Sequence, residues 1–128
     1  MFLIIISIAI VLLMPLVAKI PLAIAMSRTG KYDNKHPRTQ QNELKGLGAR
    51  ALAAHQNCFE AIAYFAPTVL LVLALDEQNL YTAWLCLGFV SIRILYLFFY
   101  WLNWDKFRSL AWLLGMVSIG AHYWLLLV

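Results

Sequence analysis

Residues 50–75 read RALAAHQNCFEAIAYFAPTVLLVLAL, and the reading of this stretch decides the fold. Its second part, Ala61 to Leu75, is apolar but, at 15 residues, shorter than the roughly 20 a helix needs to cross the hydrocarbon core. The crossing must therefore begin near Arg50, and it carries Arg50, His55, Asn57 and Glu60 toward the membrane. On a helix turning about 100° per residue, Arg50, Asn57, Glu60 and Tyr64 fall within about 80° of one another and form one polar stripe. His55 falls on another face. An acid and an amide in a membrane helix are costly unless they meet a partner helix or a wet cavity, and by default they mark function.

Working outward, the whole chain has the character of a membrane protein. Of its 128 residues 63% are hydrophobic and 12% charged, and the mean hydropathy is +0.76, which leaves too little polar surface to cover a soluble globule. Residues 2–18, FLIIISIAIVLLMPLVA, form an uncharged first span that continues past Lys19 and Pro21 to about Met26. No basic region precedes it, so it reads as a retained span and not a signal peptide. From Ser27 to Gly48 the chain turns polar, with Arg28, Lys31, Lys35, Arg38 and Lys45 against Asp33 and Glu43, and Tyr32 to Arg38 carry turn chemistry. Pro67 is expected to kink the second span. Asp76-Glu77-Gln78-Asn79 make a short acidic turn, a third span runs from Leu80 to about Trp104, and Asp105-Lys106-Phe107-Arg108 close it. The expectation is an all-α integral membrane protein of one domain, a four-transmembrane-helix up-down bundle with spans at about 2–26, 50–75, 80–104 and 109–128 and a loop at about 27–49.

Basic loops in such a chain report orientation, not nucleic-acid binding. The 27–49 and 105–108 loops are accordingly expected in the cytoplasm, with both termini on the opposite side. Cys58 and Cys86 fall on different spans at depths about 15 Å apart, which argues against an intrachain disulfide. Cys58 lies near His55 but no further ligands cluster with them, so no metal is expected.

Helical depth adds to the stripe. Arg93, Tyr96 and Tyr100 share one face of the third span, and Arg93 and Glu60 each lie about 15 Å from the cytoplasmic ends of their helices. An interhelical charge pair between Glu60 and Arg93, within or between subunits, is expected. A cavity lined by two arginines, an acid, an amide and two phenols suits a small anion bearing amino and carboxylate groups.

The second-span pattern Arg50, His55, Asn57, Glu60, the third-span pattern Arg93, Tyr96, Tyr100, and Arg108-Ser109 after it, set in four spans over nearly the whole chain, resemble the membrane-associated proteins in eicosanoid and glutathione metabolism, the MAPEG family, in its short bacterial form. The resemblance implies a homotrimer in a bacterial inner membrane that binds glutathione, as co-substrate, between neighbouring subunits near the cytoplasmic side. It implies that Arg50, Asn57, Glu60 and Tyr96 bind the tripeptide and that Arg108, with Tyr100, is catalytic by stabilising its thiolate. Arg93 joins the binding set on depth and face. Where active relatives carry arginines ahead of the Asn, this chain has Leu52 and Ala53. The leading expectation is a glutathione-dependent transferase or peroxidase acting on hydrophobic electrophiles or lipid hydroperoxides drawn from the bilayer. The alternatives are a non-enzymatic binding or scaffold protein of the same fold and a small proton-coupled exporter.

Overall fold

A computed structural model describes all 128 residues, with five helices joined by shorter segments: α1 (Phe2–Arg28), α2 (Pro37–Asn42), α3 (Leu47–Ala74), α4 (Leu80–Trp101) and α5 (Asp105–Leu127). Four of them are long and apolar enough to cross a membrane, and they run up and down. Helix α1 packs chiefly on α3 and α4 on α5; α1 also meets α4, and α3 meets both α4 and α5, while α1 and α5 are not close neighbours.

The sequence explains each contact. On α1 the buried side runs Ile4, Ser7, Val11, Met14, Ala18, Leu22 and Met26, a spacing of three and four that puts one stripe inward. Facing it, α3 offers Ala51, Ala54, Cys58 and Ala61, whose small side chains let the two backbones approach. Gly48 closes the approach, because a Cβ there would sit 3.1 Å from that of Ala25. Further along, the rings of Phe65 and Phe89 stack with centroids 4.4 Å apart and join α3 to α4 in the core. The remaining surface is largely exposed Leu, Ile, Val, Phe and Trp, as expected of helices whose solvent is lipid.

The turns follow from local chemistry. Asn79 caps α4: its side chain accepts from the N–H groups of Tyr81 and Thr82 (2.9 and 3.1 Å), and the Thr82 hydroxyl accepts from the Asn79 N–H at 2.9 Å, a reciprocal capping box. Asp33 organises the polar loop, its Oδ1 accepting from the N–H of Lys35 and His36.

Several boundaries differ from those expected. The 27–49 segment holds a helical turn, α2, which starts on Pro37 at its first position, where the missing N–H costs nothing. Gln40 on α2 reaches back and donates to the Met26 carbonyl at the end of α1. The third span ends at Trp101, not Trp104, because Asn103 adopts the left-handed conformation (φ 62°) that stops a helix. Residues 105–108 are not a loop but the first turn of α5, with Asp105 at the positive end of the helix dipole. Helix α3 continues without interruption through Pro67.

Candidate functional site

Helix α4 turns Arg93 and Tyr96 inward. Arg93 sits at the centre of the buried face defined by Cys86, Phe89, Val90 and Leu97, and is 2% exposed. Its Nη2 donates to the backbone carbonyl of Asn57 on α3 at 2.9 Å, and its guanidinium lies 4.2 Å from the centre of the Tyr96 ring. Tyr96 meets Tyr100 edge to face at 5.3 Å. Arg108, from the first full turn of α5, lies 4.5 Å above the Tyr100 ring. Arg93, Tyr96, Tyr100 and Arg108 thus form a row of alternating contacts, cation to ring to ring to cation, from the bundle interior to its edge. At the outer end a pocket of about 250 Å³ is lined by Tyr96, Tyr100, Arg108, Ser109 and Trp112.

The α3 residues are disposed differently. Asn57 is half-buried with its Oδ1 shielded and without a hydrogen-bond partner, and the Nε atoms of Arg50 and Arg93 are likewise shielded and unpartnered. Glu60 and Tyr64 are exposed on the outer side of the subunit. None of Arg50, Asn57 and Glu60 lines the 250 Å³ pocket.

The expected Glu60–Arg93 pair does not form within the subunit. The chain's one close charge contact is His36 with Asp33, at 3.5 Å in the loop. The reason is rotational: at about 100° per residue Glu60 lies roughly 140° from the centre of α3's buried face, whereas Arg93 lies at the centre of α4's. Equal depth brought the two level, but one side chain points in and the other out.

Three polar links were not foreseen from sequence. His55 donates from Nδ1 to the Pro15 carbonyl at 3.0 Å and stands edge-on to Phe59, which makes it a tie between α3 and α1. His122, fully buried, donates from Nδ1 to the Ser118 carbonyl at 2.8 Å; its Nε2 then accepts, and the Cys86 thiol lies 3.4 Å away as donor. Thr68 donates its one hydroxyl proton to the Tyr64 carbonyl at 2.7 Å, so the Tyr123 hydroxyl, 3.3 Å away, donates to Thr68 and ties α5 to α3. Trp112 was also overlooked as a pocket residue. Its signal was present, since it stands one helical turn beyond Arg108 and on the same side of α5.

Fold and site together define a small polytopic α-helical membrane protein with a cationic, phenol-lined recess near one end of the bundle. A model of the MAPEG family matches residues 3–128, and the chain belongs to that family. No curated protein and no solved structure gave a match.

Proposed function

We propose that the protein is a membrane-bound glutathione-dependent transferase or peroxidase for hydrophobic electrophiles or lipid hydroperoxides. The observation that carries this reading is the row from Arg93 to Arg108 beside the pocket: two guanidiniums held by tyrosine rings, with the outer one free to meet an anion. Membership of a family associated with glutathione supports the same class of chemistry. In the proposed arrangement the protein is a homotrimer in a bacterial inner membrane, the basic segment 27–49 and the α4–α5 turn face the cytoplasm, and Arg50, Asn57, Glu60, Arg93 and Tyr96 hold the tripeptide.

A thiol of pKa near 8.5 is mostly protonated at neutral pH, and a guanidinium beside the sulfur favours its nucleophilic anion. Arg108 supplies that charge, and Tyr100 fixes it from below. The thiol proton passes to solvent. With an electrophile, the sulfur pair forms an S–C bond as the leaving group departs with its bonding electrons. With a lipid hydroperoxide, the thiolate attacks the terminal oxygen and the O–O bond breaks, giving a sulfenic acid and an alkoxide that takes a proton from solvent to become the alcohol. A second glutathione then reduces the sulfenic acid, giving the disulfide and water.

One observation favours a second reading, a binding protein without turnover. Leu52, at the position where active relatives sometimes carry a second arginine, packs instead against the cluster of Leu22, Met26, Leu44 and Ala51. Equilibrium binding of glutathione to the detergent-purified protein, with thiolate absorbance followed on mixing, separates the two. The enzymatic reading expects saturable binding with a rise in thiolate absorbance; binding without that rise supports the scaffold, and no saturable binding defeats both.

A further inference from the structure

A second cavity, of about 590 Å³, lies at the end of the bundle that carries the basic segment, between the last turns of α1 and the start of α3. It is distinct from the Tyr96–Arg108 pocket and shares no residue with it. Its lining is divided by chemistry. One part is apolar and open to the helix surface, with Ile24, Ala25 and Leu47; the other carries Arg28, Lys45 and a single acid, Glu43. Arg28 and Lys45 are exposed, and neither has a carboxylate within salt-bridge distance, since the only such pair in the chain is His36 with Asp33. Both cations are therefore uncommitted.

Depth narrows the ligand class. Helix α1 has 27 residues and α3 has 28, which makes each about 40 Å long, against a hydrocarbon core of about 30 Å. The last turns of α1 and the first of α3 therefore stand in the head-group layer, with Ile24 and Leu47 at the edge of the acyl region. A phosphate at the height of Arg28 and Lys45 with a hydrocarbon tail at the height of Ile24 has the form of a phospholipid. The surrounding segment strengthens the preference for an anionic one. Residues 27–49 carry five basic residues against two acidic, and such a cluster beside a span attracts anionic head groups.

We propose that this cavity is a binding site for the head group of an anionic phospholipid, with Arg28 and Lys45 on the phosphate and the acyl chain leaving along Ile24 and Leu47. The site is separate from the glutathione chemistry and stands without it. Gly48 is part of the construction: by allowing Ala25 and Leu44 to close on α3, it forms the floor of the cavity.

The full chain in nanodiscs of phosphatidylcholine, or of equal parts phosphatidylcholine and phosphatidylglycerol, is the system for the test, with retained lipid read by native mass spectrometry and stability by thermal melting. Phosphatidylglycerol should be retained preferentially and raise Tm. Each of R28Q and K45Q should weaken retention roughly fivefold, and the double variant about 25-fold, on the scale of surface basic residues near anionic lipid. Lys106→Gln, a basic residue of the other turn at the same end, should leave retention unchanged. Glu43→Gln removes the opposing charge without removing a contact and should strengthen retention, which keeps the test informative if the double variant folds poorly. Equal retention of the two lipids, or a preference untouched in R28Q and K45Q, overturns the proposal. So does an equal Tm rise from inorganic phosphate in phosphatidylcholine alone that is lost in R28Q and K45Q, because the site would then serve a soluble anion.

Discussion

Replacing Arg93 by Met is expected to leave the ligand-free protein about as stable as its parent while abolishing glutathione binding. The guanidinium is 2% exposed, has no carboxylate within salt-bridge distance and donates one hydrogen bond, at 2.9 Å to the Asn57 carbonyl. Taking such an ion out of water costs several kcal/mol even after relaxation. Against this stand a charge-assisted hydrogen bond of about 1.5–3 kcal/mol and a desolvated cation–π contact with Tyr96 of roughly 2 kcal/mol. The terms nearly cancel, so Met, which fills a similar volume, should change unfolding in mild detergent by no more than about 1.5 kcal/mol. Unfolding curves with and without glutathione are the assay: the parent should be stabilised by the ligand and the variant should not. A loss of about 3–5 kcal/mol without ligand would refute the reasoning, because that is the penalty for orphaning one member of a buried ion pair. Arg93 would then have a carboxylate partner from a neighbouring copy, Glu60 being the exposed candidate. Combining Arg93→Met with Glu60→Gln should give additive effects if the residues act separately.

Arg108→Leu should lower the conjugation rate with a generic electrophile by about 100-fold or more, the scale of removing one donor from a developing anion, with glutathione affinity changed less; a parental rate would reduce Arg108 to a topology residue. Gly48→Leu should lower stability by roughly 1–3 kcal/mol through overpacking against Ala25 and Leu44, seen as a lower Tm in detergent. In the loop, the backbone N–H groups of His36 and then Lys35 hold the Asp33 carboxyl below its ordinary 3.8. A depressed acid contributes stability above its unfolded pKa and loses it as pH falls through the folded one. The amide resonances of Lys35 and His36 should therefore titrate with a midpoint below 3.8, whereas a midpoint at or above 3.8 would show the turn is not formed in solution.

Long periodicities were legible in the sequence and orientations about a helix axis were not. The apolar runs and the acidic turn at 76–79 place four spans correctly, because a crossing helix must satisfy its own backbone and needs a fixed length of apolar chain. The Trp101 boundary was missed because nothing apolar stops there: Leu102 and Trp104 are as hydrophobic as the helix, and the stop comes from the left-handed backbone of Asn103. The tyrosine and arginine row was legible on α4, where offsets of three and four put Arg93, Tyr96 and Tyr100 on one face. Which face of α3 meets α4 depends on where Ala51, Ala54, Cys58 and Ala61 dock, and that is a property of the packed bundle. For the same reason His122 was invisible as a partner of Cys86, since the two lie 36 residues apart and meet only when α4 and α5 pack.

That rotational fact bears on how the proposed site is completed. Measured from the centre of α3's buried face, Arg50 lies about 60° away, Asn57 about 80°, Tyr64 about 100° and Glu60 about 140°. The stripe runs progressively from the edge of the bundle onto its outer surface, while the cationic row on α4 stays inside. An exposed carboxylate on a helix otherwise bathed in lipid is costly, and within one subunit nothing covers it. A neighbouring copy laid against this side of α3 would cover Glu60 and Tyr64 and meet the unpartnered polar atoms of Arg50 and Asn57. On this argument the proposed trimer and the proposed glutathione site are one hypothesis, since the second half of the ligand's surroundings must come from another chain. Crosslinking in mild detergent should then give a predominant trimer, and Glu60→Leu should preserve or strengthen that trimer if the carboxylate serves only the ligand. Dissociation to monomers in Glu60→Leu would instead mean that Glu60 holds the subunits together, and glutathione would have to find its cations elsewhere.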